Sequence, residues 1–196
     1  MTAFFSDGQV NVVSISGGKD SLATALLALE TQPFDSVHLV HADTGHEHPL
    51  TEDYIGYLEI ALEKPVKILR ADFTDDFIRK REFILNHWPK DGIPDDVVQA
   101  AADMLSETTG IPFLDLCLWK GRFPSRRSQF CTTELKTNLL NEYLLEFAEA
   151  GEWAWSWQGV RADESAVRRY LPEFEDLGGN CAIFRPVAEV EGGGRV

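Results

Sequence analysis

Short apolar runs alternate with amphipathic stretches along most of this chain. Residues 10–13, Val-Asn-Val-Val, are a short, mostly apolar run rich in β-branched residues, and a buried strand is predicted over 10–14. After a Gly-Gly turn, Leu22, Leu26 and Leu29 recur at helical spacing until Gln32-Pro33 ends the pattern. A second strand is predicted at 36–41. A second helix follows on the face Ile55, Leu58, Ala61 and Leu62, closed by Pro65, and a third strand lies at 66–69. The order β-α-β-α-β with short links predicts an α/β fold: a doubly wound, mostly parallel sheet with helices on both faces.

The second half is less regular. Phe77, Arg81, Ile84, Leu85 and Trp88 share a helical face, 89–94 is a loop, and Asp95-Asp96 opens a helix carrying Val97, Ala101 and Leu105. Residues 110–127 are punctuated by Gly and Pro and read as a mobile loop over a site. A helix is predicted over 135–150, with Leu140, Leu144 and Phe147 in register and Gly151 as its stop. At Trp153, Trp155 and Trp157 the period is that of a strand. A core strand with one bulky face is the preferred reading over an adenine-stacking platform. A last short strand is expected at 182–185. Residues 1–190 are expected to form one α/β domain and 191–196 a flexible tail.

Composition narrows the class. The 196 residues are 44% apolar, enough for one sizeable core. No apolar run approaches the ~20 residues of a membrane span, and the first residues lack a basic leader, so the cytoplasm is the expected compartment. The formal charge of -14 opposes non-specific nucleic-acid and membrane binding. Arg79-Lys80-Arg81, Lys120-Gly121-Arg122 and Arg126-Arg127 are small basic clusters, and the first reads as a solvated helix face. Cys117, Cys131 and Cys181 form no Cys-x-x-Cys pair. They read as free thiols rather than as a three-cysteine iron–sulfur site.

The chemistry centres on residues 14–21, Ser14-Ile15-Ser16-Gly17-Gly18-Lys19-Asp20-Ser21. A strand, a Gly-Gly turn and a helix start present unpartnered N–H groups to an anion. Lys19 adds charge and the serines add donors. The spacing is neither a Walker A loop nor a dinucleotide fingerprint. Loops after later strands are expected to converge with it. At 41–45, Asp43 can accept a hydrogen bond or hold Mg²⁺, Thr44 stands beside it, and Gly45 permits a close turn. His41, Asp43, His46, Glu47 and His48 are potential metal donors, but they lack zinc-helix spacing and Pro49 follows at once. Cys131 stands near a helix start, with Arg126, Arg127 and Lys136 close in sequence; exposed there, its thiol pKa would fall. Gly159, Arg161 and Arg168, with Asp163 and Glu164 to orient them, offer guanidinium forks for phosphate or sulfate.

These stretches together resemble a known family. Residues 16–21 look like the SGGKDS loop of the adenine nucleotide α-hydrolase-like group. That group includes the N-type ATP pyrophosphatases and the phosphoadenosine phosphosulfate reductase family. Residues 43–45, Asp-Thr-Gly, residues 131–136, Cys-Thr-x-x-Leu-Lys, and residues 159–168, Gly-x-Arg-x-x-Glu-Ser-x-x-Arg, are similar to segments of the reductase family and occur in its order. The resemblance implies a Rossmann-like fold and an adenine nucleotide, ATP or phosphoadenosine phosphosulfate, used in sulfur metabolism or sulfur transfer. It implies binding by Ser14, Ser16, Gly17, Gly18, Lys19, Asp20, Ser21, Asp43, Thr44, Gly45, Arg127, Lys136, Gly159, Arg161, Glu164 and Arg168. Lys19, Cys131 and Arg161 would be catalytic, with Mg²⁺ at Asp43 or Asp20. A protein reductant, a partner subunit or a second copy of the chain are the partners such chemistry admits.

Two reactions fit these motifs, thiolate attack on the sulfur of phosphoadenosine phosphosulfate and ATP-dependent adenylation with pyrophosphate release. The Glu-Cys-Gly-type tail of the sulfite-forming reductases and the paired cysteines of adenylylsulfate reductases are not in the sequence, which ends soon after residue 187. Those differences favour adenylation and motivate a third expectation, a shortened nucleotide-binding module that works with a partner.

Overall fold

Val10, Val12 and Val13 are buried because β1 (Gln9–Ser14) runs at the centre of a six-stranded sheet. The computed structural model describes residues 8–161 and 168–186; the tail at 191–196 and residues 163 and 164 lie outside the described residues. The described residues divide into two compact units, one from those within 1–42, 48–69 and 140–196, the other from 43–47 and 70–139.

The first unit carries the sheet. Its order is β3 (Val66–Arg70), β2 (Val37–Asp43), β1, β4 (Trp153–Trp157), β6 (Cys181–Phe184) and β5 (Phe174–Gly178). β1 runs parallel to β2 and β4, and β4 parallel to β6. Period-two alternation in β1 feeds two cores. Val13 and Ile15 pack on one face with α1 (Lys19–Thr31) and α2 (Pro49–Ala61), through Ala25, Ala28, Ile55 and Leu58. Val10 and Val12 pack on the other with α7 (Asn138–Glu149), through Leu140, Leu144 and Phe147. The sheet is therefore doubly wound, as the apolar periodicity predicts. Fully burying one such valine or leucine contributes roughly 1.5–3 kcal/mol.

The α1 face is rotated from expectation. Ser21, Thr24, Ala25 and Ala28 are buried, while Leu26 is 50% exposed. Small residues let the helix lie close on the sheet, a preference that leucine spacing does not reveal. The tryptophans do form a core strand. The Trp155 and Trp157 indoles donate to Gln9 Oε1 and Asn11 Oδ1, both at 2.9 Å, and Trp157 meets Phe184 edge to face. The final strand is one residue earlier than predicted, and β5, which pairs antiparallel with it, is unforeseen. Gly178, Gly179 and Asn180 turn that hairpin with positive φ.

The second unit is helical. α3 (Thr74–His87) and α4 (Asp95–Asp103) share a core of Phe73, Phe77, Ile84, Val98, Ala102 and Leu105. Residues 110–127 are not one continuous loop: Pro112–Lys120 is a helix, α5, with Leu116 and Cys117 buried, and the irregular residues lie on either side of it. Its punctuation marks helix ends, Pro112 in the first turn and Gly121 at φ 67 in the C-cap. Buried Asp115 anchors the entry by accepting from the Thr109 N–H and hydroxyl, at 2.6 and 2.7 Å. The helix predicted from residue 135 starts earlier. A short turn α6 (Phe130–Thr132) runs through a π-type turn, Thr133–Thr137, into α7. No helix among the described residues is long and apolar enough to cross a membrane.

Candidate functional site

In the first unit the strand order reverses at β1 and β4, which lie side by side and send their following loops from the same end of the sheet. In open α/β sheets ligands bind at such a switch point. The β1 loop is held in shape by its own hydroxyls. Ser21 is buried; its Oγ accepts from the Ser16 N–H at 3.1 Å and donates to the Gly18 carbonyl at 2.8 Å. Ser16 Oγ lies 3.3 Å from the same atom. Gly17 turns the loop at φ 76, and a Cβ there would stand 3.1 Å from the Thr51 methyl. Gly18 is the N-cap of α1 and supplies no side-chain cap, and Lys19 is exposed in the first turn. Buried His41 fixes the base of the loop, its Nδ1 2.8 Å from the Ile15 carbonyl oxygen.

The β4 loop closes against this one. A Cβ on Gly159 would fall 2.6 Å from the Asp20 carbonyl oxygen and 2.7 Å from Ser21 N. The close approach thus excludes any side chain at Gly159. Two residues on, Arg161 Nε pairs with Asp20 Oδ2 at 3.0 Å. Arg168 is exposed and opens a 3₁₀ turn, Arg168–Tyr170; Glu164 lies outside the described residues.

The second unit gathers another group. Asp43 Oδ1 accepts from the Gly45 N–H at 2.7 Å and Oδ2 pairs with Arg70 at 2.9 Å, so both oxygens are engaged. Arg70 also donates to the Gly110 carbonyl. Gly45, at φ 67, would meet Pro112 Cδ at 2.6 Å if it carried a Cβ, and Phe113 N–H donates to the Thr44 carbonyl. The Asp-Thr-Gly turn is therefore clamped on the start of α5. Beside it, Thr44, His46, Glu47, Cys131, Thr132 and Lys136 line a pocket of about 210 Å³. His46 stacks on Phe113, Thr44 donates to Glu47 Oε1 at 3.0 Å, and Lys136 Nζ is 3.9 Å from the same oxygen. Cys131 is half-buried at this pocket, whereas burial pushes the Cys117 and Cys181 thiols up. Arg127 is exposed and is not among the lining residues.

The predicted residues are thus brought together in two sets: residues 14–21 with Gly159 and Arg161 in the first unit, and Asp43 to Gly45 with Cys131 and Lys136 in the second. Sequence reasoning missed Arg70, His46's stacking and the Glu47–Lys136 pair. The closely spaced polar side chains of His46 and Glu47 are a signal for part of this set; Arg70 left none. Among the described residues no three His, Cys, Asp or Glu side chains gather into a metal-binding group.

Residues 10–88 match the model of the phosphoadenosine phosphosulfate reductase domain. The chain is 41% identical over 195 residues to an uncharacterized 37.8 kDa protein of the gpa 5′ region of Escherichia phage 186, covering 93% of this chain and 58% of that protein. It is 29% identical over 176 residues to an uncharacterized nin-region protein of Escherichia phage lambda, covering 86% and 56%. The chain therefore spans little more than half the length of these relatives. A phosphoadenylyl-sulfate reductase from Candida auris, solved as a phosphate complex, is similar with a TM-score of 0.48 and 15% identity over 90% of this chain and 64% of that one.

Proposed function

We propose that this chain, whose residues 10–88 match the phosphoadenosine phosphosulfate reductase domain, is an enzyme of that family that acts in sulfur transfer and binds an adenine nucleotide, with the phosphate-bearing end on residues 16–21. The observation that carries the reading is the meeting of the β1 and β4 loops, Gly159 on Asp20 and Ser21 and Arg161 on Asp20. Three features there suit an anion: the uncapped start of α1, exposed Lys19 and a guanidinium one ion pair away.

In the sulfur-transfer reaction, the Cys131 thiolate attacks the sulfate sulfur of phosphoadenosine phosphosulfate. An S–S bond forms, the S–O bond to the nucleotide breaks, and phosphoadenosine phosphate leaves with the bonding pair. A protein dithiol then supplies two electrons, releasing sulfite and regenerating the thiol as its own disulfide forms. The half-buried setting of Cys131 beside Lys136 supports this role.

The Asp20–Arg161 pair favours a second reading, ATP-dependent adenylation of an acceptor. Lys19 and Arg161 would neutralise the departing pyrophosphate. Mg²⁺ carried on the phosphates commonly takes only one or two carboxylates from the protein, and Asp20 fits that role better than Asp43, whose oxygens are already bonded. Bound there, Mg²⁺ would supply charge neutralisation on the phosphate oxygens.

Calorimetry with ATP and with phosphoadenosine phosphate tests the premise. Lys19→Ala should weaken binding by about ten- to a hundredfold, the loss of one charge-assisted contact; unchanged affinity would sink the loop assignment. Turnover separates the reactions, sulfite from phosphoadenosine phosphosulfate against pyrophosphate from ATP. Nucleotide binding with neither product would point instead to a non-catalytic module.

A further inference from the structure

The helical unit has a second, larger cavity, of about 650 Å³, that the nucleotide reading does not use. Its walls are apolar. Ile84 and Trp88 come from the end of α3, Met104 and Leu105 from the end of α4, and Leu118 from α5. Two large apolar side chains at its margin are open to solvent, Met104 at 62% and Phe123 at 70%. Such a volume is in the range of pockets for small organic ligands, roughly 300–1,000 Å³.

The charge at the cavity departs from the rest of the chain. The protein has 32 acidic residues against 18 basic ones, yet the ionisable side chains among the described lining residues, apart from the Cys117 thiol, are both cations, Lys80 and Arg122. Arg122 is held by a neutral partner, donating to Ser128 Oγ at 3.0 Å, with its guanidinium over the Phe130 ring. No carboxylate lining the cavity balances either cation. Of the uncharged polar lining groups, the Thr109 hydroxyl is already committed to Asp115, and the Trp88 indole N–H is a donor that carries no charge. Apolar walls with cations and no carboxylate suit a ligand with an apolar body and a single negative head. We propose that this cavity binds an amphiphilic monoanion, an aliphatic chain ending in a carboxylate, with the chain between α3, α4 and α5 and the head at Lys80 and Arg122.

The probes are dodecanoate and its uncharged counterpart dodecanol, each titrated against bound anilinonaphthalene sulfonate followed by fluorescence. Dodecanoate should displace the dye at one saturable site, and more tightly than dodecanol. The double variant Lys80→Gln, Arg122→Gln should weaken dodecanoate by about tenfold, the sum of two partly exposed charge contacts, and leave dodecanol unchanged. Met104→Glu should weaken both, and circular dichroism and the thermal midpoint would confirm that each variant folds. Equal affinity for the two probes, or an unchanged dodecanoate affinity in the double variant, overturns the assignment. So does a Met104-dependent dimer in sedimentation that dodecanoate does not dissociate, because the face would then belong to a second copy.

Discussion

Gly159 offers the sharpest test of the switch-point geometry. Its backbone needs no left-handed conformation, so replacing it with alanine asks only for space. The added methyl would sit 2.6 Å from the Asp20 carbonyl oxygen, 2.7 Å from the Asp20 carbonyl carbon and 2.7 Å from Ser21 N. All three are backbone atoms in the loop and first turn of α1, so no side chain can swing aside. Overpacking of this kind costs roughly 1–3 kcal/mol. For a chain of this size each kcal/mol moves the thermal midpoint by roughly 2–4 °C, so Gly159→Ala should lower it by roughly 2–12 °C. Gly56 is the control: it lies inside α2, exposed, and a Cβ there meets nothing within 4 Å. Gly56→Ala should raise stability by roughly 0.5–1 kcal/mol, through helix propensity alone. Urea unfolding gives both stabilities, and calorimetry with phosphoadenosine phosphate then asks whether the displaced loop still binds. A Gly159→Ala protein as stable as the parent would refute the close approach of the two loops.

Other outcomes follow from single contacts. Asn11→Ala should cost roughly 1–3 kcal/mol by leaving the buried Trp157 indole N–H without its acceptor, read from urea midpoints and a shift in tryptophan emission. Burial, and then Lys64, hold the His38 imidazole below its ordinary 6.5, against a smaller opposing pull from Glu152. The folded state then binds fewer protons than the unfolded one. Stability should be full above the unfolded value and fall as the pH drops from there through the folded value, and His38→Gln should flatten that limb of the pH–stability curve. Alkylation of the native protein with iodoacetamide at neutral pH, mapped by mass spectrometry, should label Cys131 first, because Cys117 and Cys181 are buried with their thiols pushed up. Equal labelling of the three would contradict the half-buried placement of Cys131.

The sheet was readable because its strands leave strong local traces. Residues 10–13 carry three valines and residues 153–157 three tryptophans at every second position, each stretch near turn glycines, and the alternation in β1 feeds opposite faces as a strand must. What failed was read from residue identity without context. α5 has the local pattern of a loop because Pro112 and Gly121 are breakers inside a helix, yet each stands at the helix end that suits it. β5 gave no sign because Phe174–Gly178 is acidic, half-exposed and ends in glycine; only pairing with β6 makes it a strand. The α1 face was misplaced because alanine and serine carry little weight in an apolar pattern, although they permit the closest approach to a sheet.

The candidate site divides along the same line between local and distant. The motif at 14–21 identifies residue types, and its internal bonds are local: Ser21 reaches back to Ser16 and Gly18. What the sequence could not supply is the register that pairs Val13 with Trp157. Adjacent strands lie only about 4.8 Å apart, so their following loops must crowd one another. At that spacing one of the two loops must give up its side chain, and Gly159 is where this chain does so. Gly159 is therefore required by packing whichever anion the loop holds, while Arg161, two residues further on, reaches back with its charge to Asp20. A substitution at Gly159 should fail in stability as well as affinity, whereas one at Lys19, exposed and outside the core, should fail in affinity alone.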